Sequence, residues 1–191
     1  MDFQPILLDV AEQIESERLV MRVVKPGEGA AHFSAVQETI GDLRRHLGHL
    51  PWVKTEPSLS NSETRCSTVY ANFLLRENLT YSIYLKSDQS YIGEICLVRI
   101  DWSVPRLELG YWCRRTAQGK RYVTEAVQTM SEFAFTKLAA KRLEIRADDD
   151  NVSSWKVAEN VGFVLEGVLK NWDRNAVTNE LRDLRIYAKT A

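Results

Sequence analysis

The sequence predicts a mixed α/β fold, a mostly antiparallel sheet with one parallel pair of strands at its centre and helices on its faces. Three observations lead there. β-rich segments pair across polar turns over residues 80–98 and again over 163–188, as antiparallel strands do. A strand, a strongly amphipathic helix and a second strand succeed one another between residues 106 and 147, the order of a parallel crossover. The chain has 191 residues, enough for one domain with a full core and tight for two, so residues 1–191 are expected to form a single domain.

Residues 1–16 mix apolar and acidic side chains and read as an N-terminal extension packed on the outside of the domain. Residues 18–24 alternate well enough for a strand, which Pro26 and Gly27 end. The spacing of Ala31, Phe33, Ala35, Val36, Ile40, Leu43 and Leu47 suits one or two short helices, broken at Gly41 and at Gly48. Ser60, Asn61, Ser62 and Glu63 have the composition of a helix start, and that helix reaches about Asn78. Strands at 80–85 and 91–98 make a hairpin. A third strand at 106–113 puts Leu107, Leu109 and Tyr111 on one face and Glu108, Gly110 and Trp112 on the other. The clearest helix follows, with Val123, Ala126, Val127, Met130, Phe133, Ala134 and Leu138 on one apolar stripe. Residues 141–147 return as a strand parallel to the third. Asn151 caps a short helix over 152–161 that Gly162 stops, and strands at 163–169 and 179–188 close the chain.

With 25 Lys+Arg against 26 Asp+Glu the net charge is -1, so the overall balance gives no reason to expect nucleic acid or an anionic membrane as a partner. Cys66, Cys96 and Cys113 are odd in number and form no C-x-x-C pair, so neither a disulfide framework nor a cysteine metal site is indicated and a reducing cytoplasm fits. The first residues lack a basic stretch before an apolar run, and no run approaches the ~18 apolar residues of a membrane span, so a cytoplasmic protein is expected. His46 and His49 stand three apart with no carboxylate or cysteine at ligand spacing; they read as polar residues at a helix end, and no metal is expected. Trp52, beside Pro51, reads either as a core plug or as the wall of a substrate pocket.

The segment with the most chemical content is 118–126, Gln-Gly-Lys-Arg-Tyr-Val-Thr-Glu-Ala, a basic turn running into the amphipathic helix. The first four N–H groups of a helix have no partner inside it and carry about half a positive charge, so an anion arriving there meets aligned donors. Gly119 lets backbone approach a ligand, and Lys120 and Arg121 add charge. The plain alternative is a loop-to-helix junction with surface basic residues.

Several segments together resemble the GNAT N-acetyltransferase superfamily, and within it the RimJ/RimL branch that acetylates protein N-termini. They are 107–112 (Leu-Glu-Leu-Gly-Tyr-Trp), 118–126, 150–154 (Asp-Asn-Val-Ser-Ser), 159–163 (Glu-Asn-Val-Gly-Phe) and 165–167 (Leu-Glu-Gly), with 17–22 matching the branch's opening strand. The resemblance covers roughly residues 15 to 188. It implies the acyl-CoA N-acyltransferase fold, acetyl-CoA as cosubstrate and a primary amine as acceptor, an N-terminal α-amine of a ribosomal or other protein; a polyamine or antibiotic acetyltransferase, and a degenerate CoA- or protein-binding module, are the alternatives. A monomer or homodimer is expected. In the family's phosphate loop a glycine stands where this chain has Arg121, so the side chain either turns outward and adds a contact to the cofactor phosphates or blocks them; position 121 is expected to be helical already, which favours the outward contact.

The same resemblance implies residue roles. Gln118, Gly119, Lys120, Arg121, Tyr122, Val123 and Thr124 would hold the pyrophosphate. Backbone around Tyr111, Trp112 and Cys113 would hold the thioester and pantetheine, and Asn151 a pantetheine amide. Glu108 is the first candidate for the base and contacts the acceptor, Glu166 the second, and Ser154 would protonate the departing thiolate while also touching cofactor. Trp52, with 44–52 and 171–178, would line the acceptor side. Cys113 raises a covalent route, but no histidine is placed to activate it, so direct transfer in a ternary complex is expected.

Overall fold

The computed structural model describes residues 3–191. Eight strands, β1 (Gln13–Glu15), β2 (Leu19–Val23), β3 (Leu79–Leu85), β4 (Tyr91–Asp101), β5 (Arg106–Cys113), β6 (Arg142–Asp148), β7 (Val164–Arg174) and β8 (Leu181–Thr190), form one sheet in the order β1-β2-β3-β4-β5-β6-β8-β7. Every neighbouring pair is antiparallel except β5 and β6, which are parallel and joined through α4 (Tyr122–Lys137). The expected mixed sheet with one central parallel pair is therefore what the chain forms. Helices α1 (Gly29–Leu47), α2 (Pro51–Lys54) and α3 (Leu59–Leu75) connect β2 to β3, and α5 (Val152–Asn160) follows β6.

The two faces of the sheet differ in chemistry. Leu79, Tyr81 and Ile83 of β3, Ile95 and Leu97 of β4, Leu107 and Leu109 of β5, and Leu143 and Ile145 of β6 form the main core with Ala126, Val127, Met130 and Ala134 of α4. Because side chains alternate, the other face carries the rows Thr80–Cys96–Gly110 and Ser82–Glu94–Trp112, with Glu108 beside them. This polar face lies under α1 and α3. A smaller apolar cluster of Ala35, Val36, Leu43, Val53, Tyr91 and Trp112 anchors α1 and α2 at one end of it.

The structure departs from local expectation, or adds to it, in three places. The helix over 29–47 runs through Gly41 without a break, since Gly41 is exposed and costs about 1 kcal/mol while Ala35, Val36, Thr39 and Leu43 on the same helix are buried. The N-terminal extension does more than wrap: Gln13–Glu15 adds an edge strand on β2, and the Tyr81 hydroxyl donates to the Ala11 carbonyl at 2.8 Å; Met1 and Asp2 lie outside the described residues. β7 runs on to Arg174, bent by two register shifts. No helix among the described residues is long and apolar enough to cross a membrane.

Candidate active site

The parallel ladder between β5 and β6 consists of Arg106↔Arg142, Leu107↔Leu143 and Glu108↔Glu144 and stops there, although β5 continues to Cys113 and β6 to Asp148. Past Glu108 the two strands part. A cleft of about 1560 Å³ occupies the gap and extends beneath α1 and α3. On the exposed flank of β5 beyond Glu108, alternate backbone N–H and C=O groups lose their sheet partners and face this cleft.

One end of the cleft is the basic turn. Gln118, Gly119, Arg121, Tyr122, Val123 and Thr124 line it, and Gly119 takes φ 75°, the left-handed region that glycine enters without strain. Arg121 is where the structure overturns expectation. It is not in the helix but is the residue capping its start, at φ 62° and ψ 15°, with its carbonyl accepting from the Glu125 N–H. A glycine at this position would be unstrained there, whereas an arginine costs about 1–2 kcal/mol. Its side chain is exposed. Lys120 does not line the cleft; its carbonyl accepts from Arg18, whose guanidinium also lies 4.7 Å over the Tyr122 ring and binds Glu125 at 2.6 Å. The start of α4 is thereby pinned to the start of β2.

At the far side of the splay α5 begins. The Asn151 side chain accepts from the Ser154 N–H at 3.2 Å, the cap the sequence indicated. Tyr111 bridges the gap: its hydroxyl donates to the Ser154 carbonyl at 2.9 Å and accepts from the Ser154 hydroxyl at 3.3 Å. Burial pushes the Tyr111 phenol well above its ordinary range, so it stays protonated. Cys113 also faces the cleft, with burial pushing its thiol up to about 11, and no base hydrogen-bonds to it among the described residues. A thiolate there is scarce at neutral pH.

Glu108 stands at the point where the strands part. Burial raises its pKa above the usual carboxylate value, and Arg99 and Arg146 offset only part of that rise. Its Oε2 lies 3.1 Å from Arg146 Nε and 3.5 Å from an Arg99 nitrogen, yet makes no hydrogen bond among the described residues. Gly110, next on the same face, keeps the floor low: a Cβ there would come within 3.0 Å of Cys96 Sγ.

Beyond Glu108 the cleft is walled by Trp52, Trp112 and His32, with ring centroids 5.5–5.9 Å apart, so Trp52 is a wall of the pocket. Beneath them lies a buried ion pair that the sequence reading missed. Arg65 of α3 grips Glu94 of β4 through two bonds of 2.7 and 2.5 Å, Trp112 Nε1 donates to the same carboxylate at 3.1 Å, and Arg65 lies 4.8 Å over the Trp52 ring. Burial alone would raise Glu94, but Arg65 holds it ionised, below the usual range. His32 Nδ1 is 3.0 Å from the Ser62 hydroxyl, and burial pulls this imidazole down to about 4, so it is neutral at pH 7. The available signal was the row of polar residues, Ser82 and Glu94, on stretches whose other face carries Tyr81, Ile83, Ile95 and Leu97.

Glu166 is not brought to the cleft. It sits exposed on β7 at the outer edge of the sheet, bound to Arg142 through 2.9 and 2.5 Å contacts, because β8 inserts between β6 and β7. The histidine pair also differs from expectation: the fold sets Asp148 and Asp150 beside His46, at 3.9 and 3.7 Å, with ligand atoms within 4.8 Å of one another. Both carboxylates are already bound by arginines, Asp148 by Arg182 and Asp150 by Arg45.

Comparison with known proteins gives the family and the fold. A family model described as an acetyltransferase (GNAT) domain matches residues 18–164. The chain is 30% identical over 132 residues to a ribosomal-protein-serine acetyltransferase of Escherichia coli (strain K12), covering 68% of this chain and 72% of that protein. It is 32% identical over 94 residues to the uncharacterized N-acetyltransferase p20 of Bacillus licheniformis, an alignment spanning 49% of this chain and about half, 53%, of that relative. Its fold is similar to that of RimL, a ribosomal L7/L12 α-N-protein acetyltransferase solved with coenzyme A, with a TM-score of 0.85 over 94% of this chain and 98% of that one at 20% identity.

Proposed function

The chain belongs to the GNAT acetyltransferase family, and from that premise we propose that it transfers the acetyl group of acetyl-CoA to the N-terminal α-amine of a protein by direct attack in a ternary complex. The observation that carries this reading is the splay of β5 from β6 at Glu108, with the basic turn at one end and the Trp52–Trp112–His32 wall at the other. It gives a long thin cosubstrate and an amine separate routes to one point.

The pyrophosphate would lie against Gln118, Gly119 and the N–H groups opening α4, with Arg121 contacting phosphate oxygens from outside the turn. Pantetheine would follow β5, pairing with the backbone of Tyr111–Cys113, while the Asn151 amide meets it from α5. An N-terminal amine of pKa about 8 is already neutral to ~10 % near pH 7, so it needs only a modest base, whereas a lysine amine near 10.4 needs far more. Glu108, with its raised pKa, is poised for that task. As nitrogen attacks the thioester carbonyl, the proton released passes to Glu108, directly or through water, and backbone N–H groups of the freed β5 flank stabilise the oxyanion. The C–S bond then breaks. The Ser154 hydroxyl, its proton turned from Tyr111 toward the leaving sulfur, donates a hydrogen bond to the thiolate, which then takes up a proton from solvent while Glu108 gives its own back.

The test is titration calorimetry with acetyl-CoA followed by an acetyl-transfer screen over N-terminal peptides, polyamines and aminoglycosides. Binding with transfer to peptides supports the reading. Transfer only to small amines would replace the acceptor class, and absence of binding at millimolar acetyl-CoA would leave a non-catalytic family member.

A further inference from the structure

The acceptor side of the cleft holds a cation with no direct part in acetyl transfer, and we propose that this residue, Arg99, binds a carboxylate of the acceptor, so that the preferred acceptor is a peptide N-terminus with an acidic side chain at its first or second residue. The proposal rests on the acetyl-transfer reading above and adds a substrate class to it.

Strand geometry makes the position of Arg99 unusual. Val98 and Arg99 are adjacent in β4, and strict alternation would send one of them to the apolar core face with Leu97; instead both line the cleft. A bulge achieves this: the β4–β5 register shifts between Val98 and Asp101, and Arg99 sits at φ 48°. A non-glycine residue at positive φ costs stability, and bulges re-aim side chains next to active sites. Here the side chain re-aimed is a guanidinium, delivered within 3.5 Å of the carboxylate that would take the amine's proton.

Its donors are also open: one nitrogen lies 3.5 Å from Glu108, but none hydrogen-bonds a carboxylate of the chain among the described residues. Among the cations on this side of the cleft, Arg45, Arg65, Arg146 and Arg182 each hydrogen-bond a carboxylate of the chain, Asp150, Glu94, Glu144 and Asp148 respectively. Arg99 makes no such bond among the described residues, its side chain is 61% exposed, and Glu108 is approached more closely by Arg146. A planar guanidinium with open donors suits a carboxylate. The reach limits where that carboxylate sits. With the amine about 2.8 Å from Glu108 and the acceptor carboxylate about 2.8 Å from Arg99, the two lie no more than roughly 9 Å apart. At ~3.5 Å per extended residue this admits a side chain at residue one or two and excludes a distant one.

The experiment uses two series of pentapeptides, identical except for Asp, Asn or Lys at residue one in the first and at residue two in the second, plus free serine, assayed with the full chain and with Arg99→Asn and Arg99→Glu. Asparagine tolerates positive φ, so the first variant removes charge without straining the bulge. For the parent, kcat/KM on the Asp peptide should exceed that on the Asn peptide about tenfold in at least one series, ~1.4 kcal/mol, mainly through KM, with the Lys peptide poorest. Arg99→Asn should bring the Asp:Asn ratio near one, and Arg99→Glu should favour the Lys peptide. Thermal midpoints and acetyl-CoA titration establish that each variant is folded. A parent ratio near one in both series, a ratio unchanged in Arg99→Asn, or free serine outcompeting the peptides would overturn the proposal. Acetyl-CoA binding without transfer to any amine would instead remove the underlying reaction, and this proposal with it.

Discussion

Replacing Arg121 with glycine should move stability and cosubstrate affinity in opposite directions. At φ 62° and ψ 15° the arginine bears about 1–2 kcal/mol of backbone strain, which glycine relieves, while glycine's extra freedom in the unfolded chain gives back about 0.5–1 kcal/mol. The net gain is about 0–1.5 kcal/mol, centred near 0.75, a rise in Tm of roughly 2–3 °C at the centre for a chain of this size. Affinity should fall. An exposed guanidinium meeting a phosphate oxygen contributes about 1 kcal/mol, so acetyl-CoA should bind roughly fivefold more weakly to the variant. That loss should shrink as salt is raised, because the contact is solvent-exposed. Scanning fluorimetry without ligand reads the first effect and calorimetry at two salt concentrations the second. Arg121→Ala separates the two causes, since it keeps the strain and loses the charge: affinity should drop as in the glycine variant with no gain in Tm. Equal or tighter acetyl-CoA binding by Arg121→Gly would refute the phosphate contact and make the arginine an obstruction, and a lower Tm would refute the strain argument.

Other outcomes follow from the site. Glu108→Gln should lower turnover about 10²-fold with little change in acetyl-CoA affinity, and equal turnover of parent and variant between pH 6 and 8 would exclude Glu108 as base. The parent's rate should rise with pH on a limb lying above the ordinary carboxylate range, since burial raises this carboxyl, and the variant should lack that limb. Glu94→Ala should destabilise the fold by about 3 kcal/mol or more by leaving Arg65 charged and buried, measured by urea unfolding. His32, with a folded pKa of about 4 against about 6.5 unfolded, contributes stability that is full above pH ~6.5 and is lost as pH falls toward 4, up to about 3 kcal/mol. In His32→Gln that part of the acid sensitivity should be absent, so the stability gap between parent and variant should narrow between about pH 7 and pH 4.5.

The sequence by itself determined whatever depends on neighbouring residues. The apolar stripe of α4, the cap at Asn151, the stop at Gly162 and the alternation of β5 that puts Glu108 opposite Leu107 all follow from short-range backbone geometry, and the structure contains each of them. The basic turn and its place before α4 were legible for the same reason. Tertiary structure decided what depends on partners distant in the chain. Arg65 and Glu94 are 29 residues apart, and only the packing of α3 over β4 makes them one buried pair. His46 gains Asp148 and Asp150 because α1 ends beside the end of β6. Glu166 loses its proposed role because β8 comes between β7 and the cleft. Arg121 and Arg99 are the instructive cases, since both take positive φ against their own preference. Local propensity disfavours that conformation by about 1–2 kcal/mol, a cost that many contacts elsewhere in the fold outweigh, so neither residue's direction was open to a reading confined to its neighbours.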